Sequence, residues 1–192
     1  GGCNSEPASS GPLRVGLLLW PPYEMAYLAE QLGYFESGNI ELVGFKAPGE
    51  TLRAYNSGAV DCVAMTTNYV LQVAARDPSQ RIVQIINVSN GADVLLARPE
   101  IESLEMLKGK RVGIERSALG AYMLQRVLDK SDLEKGDIEI VSVEISEGPS
   151  YYGDGRVDAL VTYEPFRTEI LRQGAHELFT SRELPNEIMD VL

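Results

Sequence analysis

Arg14-Val15-Gly16, followed by Tyr55, Gly58, Val60 and Asp61, returns later in the chain as Arg111-Val112-Gly113, followed by Tyr152, Gly155, Val157 and Asp158. Every pair is 97 residues apart (111 − 14 = 97; 152 − 55 = 97). A constant offset across two separated motifs predicts one β-α-β unit built twice, because chance matches do not conserve the length between them. Two similar lobes imply a cleft between them. In open α/β sheets, ligands sit beyond the carboxyl ends of the strands. The chain just after each repeated strand therefore supplies the first candidates: Trp20, then Thr66, Thr67 and Asn68, then Ser117, Ala118 and Gly120, then Tyr163 and Glu164.

Outward from the repeat, residues 13–19 form a short apolar run of the kind that makes a central strand covered on both faces. Trp20-Pro21-Pro22 stops it, and the prolines can occupy the first turn of a helix running over 23–32 and closed by Gly33. Strands are predicted at 40–45, 60–65 and 81–88, with helices at 50–57 and 68–76. The order β-α-β-α-β-α-β calls for right-handed crossovers and a mainly parallel sheet. After Ser89-Asn90-Gly91 the pattern restarts. Extended chain over 92–97, a short helix about 104–107, strands at 111–114, 138–143 and 157–162, and helices at 118–128 and 165–172 make a second lobe. A turn holding Gly153 and Gly155 precedes the strand at 157, and 177–179 adds a further strand. The domain reading is a leader over 1–11, lobe 1 over 12–91, lobe 2 over 92–183 and the start of a return crossover over 184–192.

The balance of 17 basic and 28 acidic residues, net −11, has no basic stripe to neutralise phosphates, which argues against nucleic acid and anionic membrane surfaces as partners. No apolar run approaches the ~20 residues a bilayer-spanning helix needs. Cys62 lies in an apolar strand, where a free cysteine packs as a small hydrophobe. Cys3 follows Gly1-Gly2 and precedes a polar tether over 4–11, the pattern of a processed bacterial lipoprotein with Cys3 as the lipid attachment site. The alternative is that Gly1-Gly2 is a cloning remnant and Cys3 incidental.

Positive signs of catalysis are lacking. His176 is the only histidine and sits near the far end of a lobe, and no metal-ligating Cys-x-x-Cys or His-Glu-x-x-His spacing and no phosphate-binding Gly-rich loop are present. No cofactor is expected. The cleft residues read better as a binding set. Residues 117–120 open a helix, so their free N–H groups can hold a carboxylate, sulfonate or carbonyl, or Ser117 can simply cap that helix. Glu164 stands between a strand and Pro165, where it can cap the next helix or face the ligand. Its counterpart 97 residues earlier, Thr67, is also polar and favours the second role. Trp20, the only tryptophan, makes a stiff wall with Pro21, Pro22 and Tyr23 of the kind that lines small-molecule pockets, while Tyr122 is a weaker candidate.

Four stretches, 20–35 (from Trp20 to Phe35), 54–61 (Ala-Tyr-Asn-Ser-Gly-Ala-Val-Asp), 107–115 (Leu-Lys-Gly-Lys-Arg-Val-Gly-Ile-Glu) and 155–166 (Gly-Arg-Val-Asp-Ala-Leu-Val-Thr-Tyr-Glu-Pro-Phe), resemble the nitrate, sulfonate, taurine and thiamin-precursor branch of ABC-transporter solute-binding proteins. The resemblance implies an α/β, periplasmic binding protein-like fold, with two similar lobes of mainly parallel sheets flanked by helices and joined by crossover strands. It also implies a periplasmic or cell-surface receptor that hands a small molecule to a membrane permease and is not an enzyme; the Cys3 leader adds the expectation of a lipid anchor. The pocket carried over comprises Trp20 and Tyr23, Thr66, Thr67 and Asn68, the crossover at Asn90 and Gly91, Ser117, Ala118 and Gly120, and Tyr163 and Glu164. The chain is shorter than the family's usual length, so the C-terminal part of lobe 1 is expected to be missing. Apart from Arg116, no Arg or Lys stands at the presumed strand ends, whereas Glu164 and Asp93 suit a ligand with N–H donors. Helix N-termini argue for anionic character, and an amino acid-like, amine or pyrimidine compound satisfies both. A sensory module on the same fold is an alternative. An enzyme like the thiamin-pyrimidine synthases is a third, though the cysteine-rich motif and histidine that family uses are not matched.

Overall fold

The computed structural model describes residues 11–35 and 38–192; Cys3 and the leader to residue 10 lie outside them. The chain forms two compact units: one holds the described residues through Met65 with Gln80–Asn87 and Asp190–Leu192, the other Thr66–Ser79 with Val88–Met189. This division differs from the one expected at residue 91. The helix after Thr66 packs on a helix of the second unit and so goes with it.

In unit 1, β1 (Leu13–Leu18) lies between β2 (Ile40–Phe45) and β3 (Cys62–Val63), both parallel to it. The apolar alternation of β1 buries Val15 and Leu17 with Tyr23 and Ala64, and Ile40, Leu42, Ala26 and Tyr27 pack around them. A 3-10 turn, Pro21–Tyr23, leads into α1 (Glu24–Gln31), and α2 (Pro48–Asn56) precedes β3. Cys62 is half-buried, and burial pushes its thiol up.

Unit 2 is built on a five-stranded sheet of order β10-β6-β9-β7-β8, from β6 (Val94–Ala97), β7 (Arg111–Ile114), β8 (Glu139–Ser142), β9 (Ala159–Thr162) and β10 (His176–Thr180). β7 is parallel to β8 and β9, while β6 runs antiparallel to β9 and to β10. Successive residues of a strand point to opposite faces, and here both faces are covered. Leu95, Ala97, Ala159 and Val161 join the core under α4 (Ala118–Ser131), whereas Val94, Leu96 and Leu160 join the core with Tyr152 of α5 (Gly148–Gly153) and Ile170 of α6 (Phe166–Arg172). Two-sided burial explains why all of β6 is apolar and fully buried. The stripe Gly120, Met123, Leu124, Val127, Leu128 and Ser131 gives α4 its buried face. His176 stands opposite Ala97 in this sheet.

A third sheet, order β4-β11-β5, joins β4 (Met65–Thr66), β11 (Met189–Val191) and β5 (Ile85–Val88). The run expected as one strand over 60–65 thus breaks at Ala64 into β3 and β4, which serve different sheets. The strand expected over 81–88 shortens to β5 and leaves the parallel sheet for a partner near the end of the sequence. No helix of the described residues is long and apolar enough to cross a membrane.

Candidate functional site

In unit 2, three strand ends bring their polar side chains together. Tyr69, on the first turn of α3 (Thr67–Ala74), is buried, and burial pushes its phenol up; hydrogen bonds from the Ser117 side chain and the Ala118 N–H pull it back, and Glu115 adds to the rise. Glu115 follows β7. Burial drives its carboxyl above the ordinary carboxylate range, opposed by a hydrogen bond with Ser117 and reinforced by Glu144. Tyr163 follows β9, and its phenol is pushed up by burial, with Glu115, Tyr69 and Asp93 adding.

Thr66 and Asn68 stand at the same turn as Tyr69. The Thr66 Oγ1 and Asn68 Oδ1 atoms are buried without a protein partner, as is Thr162 Oγ1 at the end of β9. Buried polar atoms are normally paired, and these three have no partner among the described residues.

The remaining expected residues are engaged by the protein. Thr67 Oγ1 lies 3.5 Å from the Glu187 carbonyl and 3.5 Å from the Met189 N–H. Ser117 caps α4 by accepting from the Gly120 N–H at 3.0 Å. A Cβ on Gly120 would stand 2.4 Å from the Glu115 carbonyl oxygen, so the glycine lets that carbonyl close over the helix start. Together with the Ala118 N–H bonded to Tyr69, this spends N–H groups expected to be open to an anion. Asn90 is exposed. The Gly91 N–H donates to Ser181 Oγ at 2.7 Å, within a buried chain in which Ser89 Oγ donates to Asp93 at 2.6 Å and lies 2.7 Å from Ser181 Oγ. Gly91 takes φ +91°, a conformation glycine adopts without strain. Tyr122 hydrogen-bonds Glu187, which also pairs with Arg126 at 3.1 Å, and burial followed by that bond raises the Tyr122 phenol to about 12.

Glu164 was expected to cap a helix or to meet a ligand. Its carboxylate accepts from Arg167 at 2.7 Å and from the Thr168 hydroxyl and N–H at 2.8 and 3.2 Å, so it is invested in the first turn of α6. Burial pushes its carboxyl up, but the Arg167 and Thr168 hydrogen bonds outweigh this and hold it below the usual range.

In unit 1, Trp20 and Tyr23 converge on one acceptor. The Trp20 indole N–H donates to Asp190 Oδ2 at 3.1 Å, and the Tyr23 hydroxyl donates to Oδ1 at 2.9 Å. Burial raises the Asp190 carboxyl, against the hydrogen bonds of Tyr23, Asn87 and Trp20, and burial with the Asp190 charge pushes the Tyr23 phenol far above its ordinary value.

Sequence reasoning passed over Glu115, Tyr69 and Asp190. Glu115 was legible as the last residue of the 107–115 motif, at the end of a strand. Asp190 carried no local signal, since its partner Trp20 lies 170 residues away. Among the described residues no group of His, Cys, Asp and Glu could hold a metal ion.

The fold is that of the periplasmic substrate-binding proteins of ABC importers. The alkanesulfonate-binding protein SsuA of Xanthomonas axonopodis, bound to MOPS, superposes with a TM-score of 0.77 at 23% identity over 96% of this chain and 66% of its own. The periplasmic nitrate-binding protein NrtA of Synechocystis does so with a TM-score of 0.67 at 12% identity over 94% of this chain and 55% of its own. Residues 20–183 match the family described as NMT1/THI5 like, and the chain belongs to that family. A Haemophilus influenzae protein named for thiamine biosynthesis is 31% identical over 161 residues, 82% of this chain and 50% of that protein. The chain therefore spans half the length of that relative and no more than 66% of the two structures. The nitrate, sulfonate and thiamin-precursor resemblance drawn from the four sequence stretches agrees with these relatives.

Proposed function

We propose that the protein is the substrate-binding component of an ABC-type importer, that it captures a small nitrogen-containing organic molecule, and that it passes that molecule to a membrane permease without chemical change. The observation that supports this most is the Glu115, Tyr69, Tyr163 and Asp93 cluster beside the unpaired Thr66 Oγ1 and Asn68 Oδ1 atoms. Carboxylates and amide oxygens are acceptors, so this cluster asks for a ligand rich in N–H donors. A sulfonate would meet the carboxyl groups of Glu115 and Asp93 there. The thiamine-related name of the Haemophilus influenzae relative supports an amino-substituted heterocycle of the pyrimidine type. In unit 1, Trp20 at the end of β1 is by itself a flat apolar face of the kind that lines small-molecule pockets. On this reading the protein works outside the cytoplasm, tethered by a lipid on Cys3.

A thermal-shift series with 4-aminopyrimidine, ethylamine and ethanesulfonate tests it, because a ligand that binds only the folded state raises the melting temperature. The pyrimidine should bind with a dissociation constant near about 1 μM, about −8 kcal/mol. Glu115→Gln should weaken it about ten-fold or more, as expected for a lost hydrogen bond to a charged group. Glu164→Gln should have the smaller effect, because its oxygens serve α6. A shift with ethanesulfonate alone overturns the ligand class, and mass analysis showing conversion of the bound compound overturns passive capture.

A further inference from the structure

We propose that Asp190 is the positioning residue of the ligand wall: by accepting from both Trp20 and Tyr23 it fixes the plane of the indole that meets the ligand. This rests on the reading of Trp20 as a ligand contact. The indole closes β1 as extended chain (φ −142°, ψ 131°), and Pro21 and Pro22 follow at the start of the 3-10 turn, so the backbone there is stiff. The side chain is half-buried and packs at the edge of the core of Val15, Leu17, Tyr23 and Ala64. A polar anchor that opposes tilting is Asp190 Oδ2, at 3.1 Å from Nε1.

The other oxygen of the same carboxylate takes the Tyr23 hydroxyl at 2.9 Å, so each oxygen is engaged and the carboxylate resists swinging to follow the indole. Asp190 is itself only 7% exposed and held in β11. The groups that bear on it are Tyr23 from the turn after β1, Asn87 from β5 and Trp20, and none carries a positive charge. A buried carboxylate without a cation is expensive to keep, which is the signature of a group retained for its geometry. β11 is also a strand through which the chain passes from one unit to the other, between Met189 and Asp190. The residue that orients the wall is thus the first one after that crossing.

Trp20 is the only tryptophan, so its fluorescence reads the claim directly. Asp190→Leu removes both acceptors at similar volume. Asp190→Asn keeps the geometry, since the amide oxygen can accept from the indole while the Tyr23 hydroxyl turns to accept from the amide nitrogen. In D190L, acrylamide quenching of Trp20 should rise and affinity for 4-aminopyrimidine should fall about ten-fold. D190N should restore both. Wild-type emission should change as acidification from about pH 8 to about pH 4 protonates Asp190, whose carboxyl lies above the ordinary range of about 3.9, and D190N should abolish that change. If D190L does not fold, the pH titration of wild type against D190N carries the test alone. Flat wild-type emission, or a D190N titration identical to wild type, overturns the proposal. In a cycle with Trp20→Phe, D190L should add nothing once the indole is gone, and additive losses overturn a role exerted through Trp20. Unchanged binding in W20F sinks the ligand-wall reading and this proposal with it. Failure of wild type to bind 4-aminopyrimidine sinks only the ligand class and leaves the emission arm to decide whether Asp190 holds the ring.

Discussion

In unit 1 the Arg14 backbone N–H and Nε both reach Asp61 Oδ2, at 2.8 and 3.0 Å, and Nη2 reaches Oδ1 at 2.9 Å; in unit 2 Arg111 meets Asp158 through the same atoms at 2.9, 3.0 and 2.6 Å. The strand registers match as well: Val15 lies opposite Cys62, and 97 residues on, Val112 lies opposite Ala159. Gly58 and Gly155, which close the preceding helices, take φ +72° and +70°. The repeat therefore conserves a clasp that fixes how the central strand pairs with the strand after the next helix. Beyond the strand end the two units part. Trp20 corresponds to Ser117 (20 + 97 = 117) and Tyr23 to Gly120 (23 + 97 = 120). Both first residues precede a helical turn in extended conformation, yet Ser117 caps its helix and Trp20 does not. Unit 1 spends the position on an aromatic ring held by Asp190, and unit 2 spends it on packing Glu115 and Tyr69. The same scaffold carries an aromatic ring anchored by a carboxylate on one copy and an acceptor-rich cluster on the other.

The sharpest way to break this comparison is at Gly120. Its Cβ would lie 2.4 Å from a backbone carbonyl of Glu115, which cannot rotate away, whereas the matching position in unit 1 holds a full tyrosine. Gly120→Ala should cost about 3 kcal/mol, the upper end of overpacking, seen as a lower urea midpoint with an unchanged slope. A loss below about 1 kcal/mol would mean the start of α4 shifts freely, and the two helix starts would then be interchangeable.

That pair also shows what local pattern can and cannot reveal. β2 and β7 fall where the sequence places them, because an apolar run bounded by turn residues is a local signal. The sequence reading has only a turn holding Gly153 and Gly155 ahead of the strand at 157, whereas the structure forms the helix α5 over Gly148–Gly153. Pro149 occupies the first turn, where its missing N–H is harmless, and burial of Tyr152 holds the helix. β11 is three residues long and exists through its pairing with distant strands, so nothing in its own composition announces it. The candidate site divides in the same way. The positions of Trp20, Asn68 and Tyr163 follow from the rule that ligands meet strand ends. The weight of Glu115 and Asp190 comes from burial and from partners far along the chain, which periodicity does not encode.

The glycines at the centre of the two repeats sharpen the comparison further. A Cβ on Gly113 would approach Leu160 Cδ1 to 2.5 Å, with Val157 and Val143 at 3.1 and 3.2 Å; on Gly16 it would approach Val63 Cγ1 to 2.9 Å, with Phe45 and Val60 at 3.1 and 3.4 Å. Both are side-chain contacts that can yield, but Leu160 is 1% exposed inside a sheet covered on both faces. Gly113→Ala should cost about 2 kcal/mol and Gly16→Ala about 1 kcal/mol, both measured by urea denaturation. Equal costs would show that the surroundings of the two clasps do not differ in rigidity.

The smallest effects should come from the clasps themselves, and their pH dependence separates the copies. The hydrogen bonds from Arg14 hold the Asp61 carboxyl down to about 2, and those from Arg111 hold Asp158 below the usual range against the opposing pull of burial. A carboxyl depressed in the folded state contributes stability that is fully present above the unfolded-state value of about 3.9 and is lost as pH falls through the folded value. Both clasps are thus intact at neutral pH and fail on the acid limb. Asp158 is the less exposed carboxylate, at 19% against 35%, and has Arg98 as a further neighbour at 4.0 Å. Asp158→Asn should cost about 1 kcal/mol at neutral pH after discounting for solvent screening, and Asp61→Asn should cost less. Repeating the urea titrations at about pH 2, near the folded-state value of Asp61 and below the unfolded-state value of both, should shrink each difference, and more for D158N. If D61N proves as costly as D158N at both pH values, the antiparallel strands and second core around the later clasp add nothing to it, and the two copies are energetically the same device.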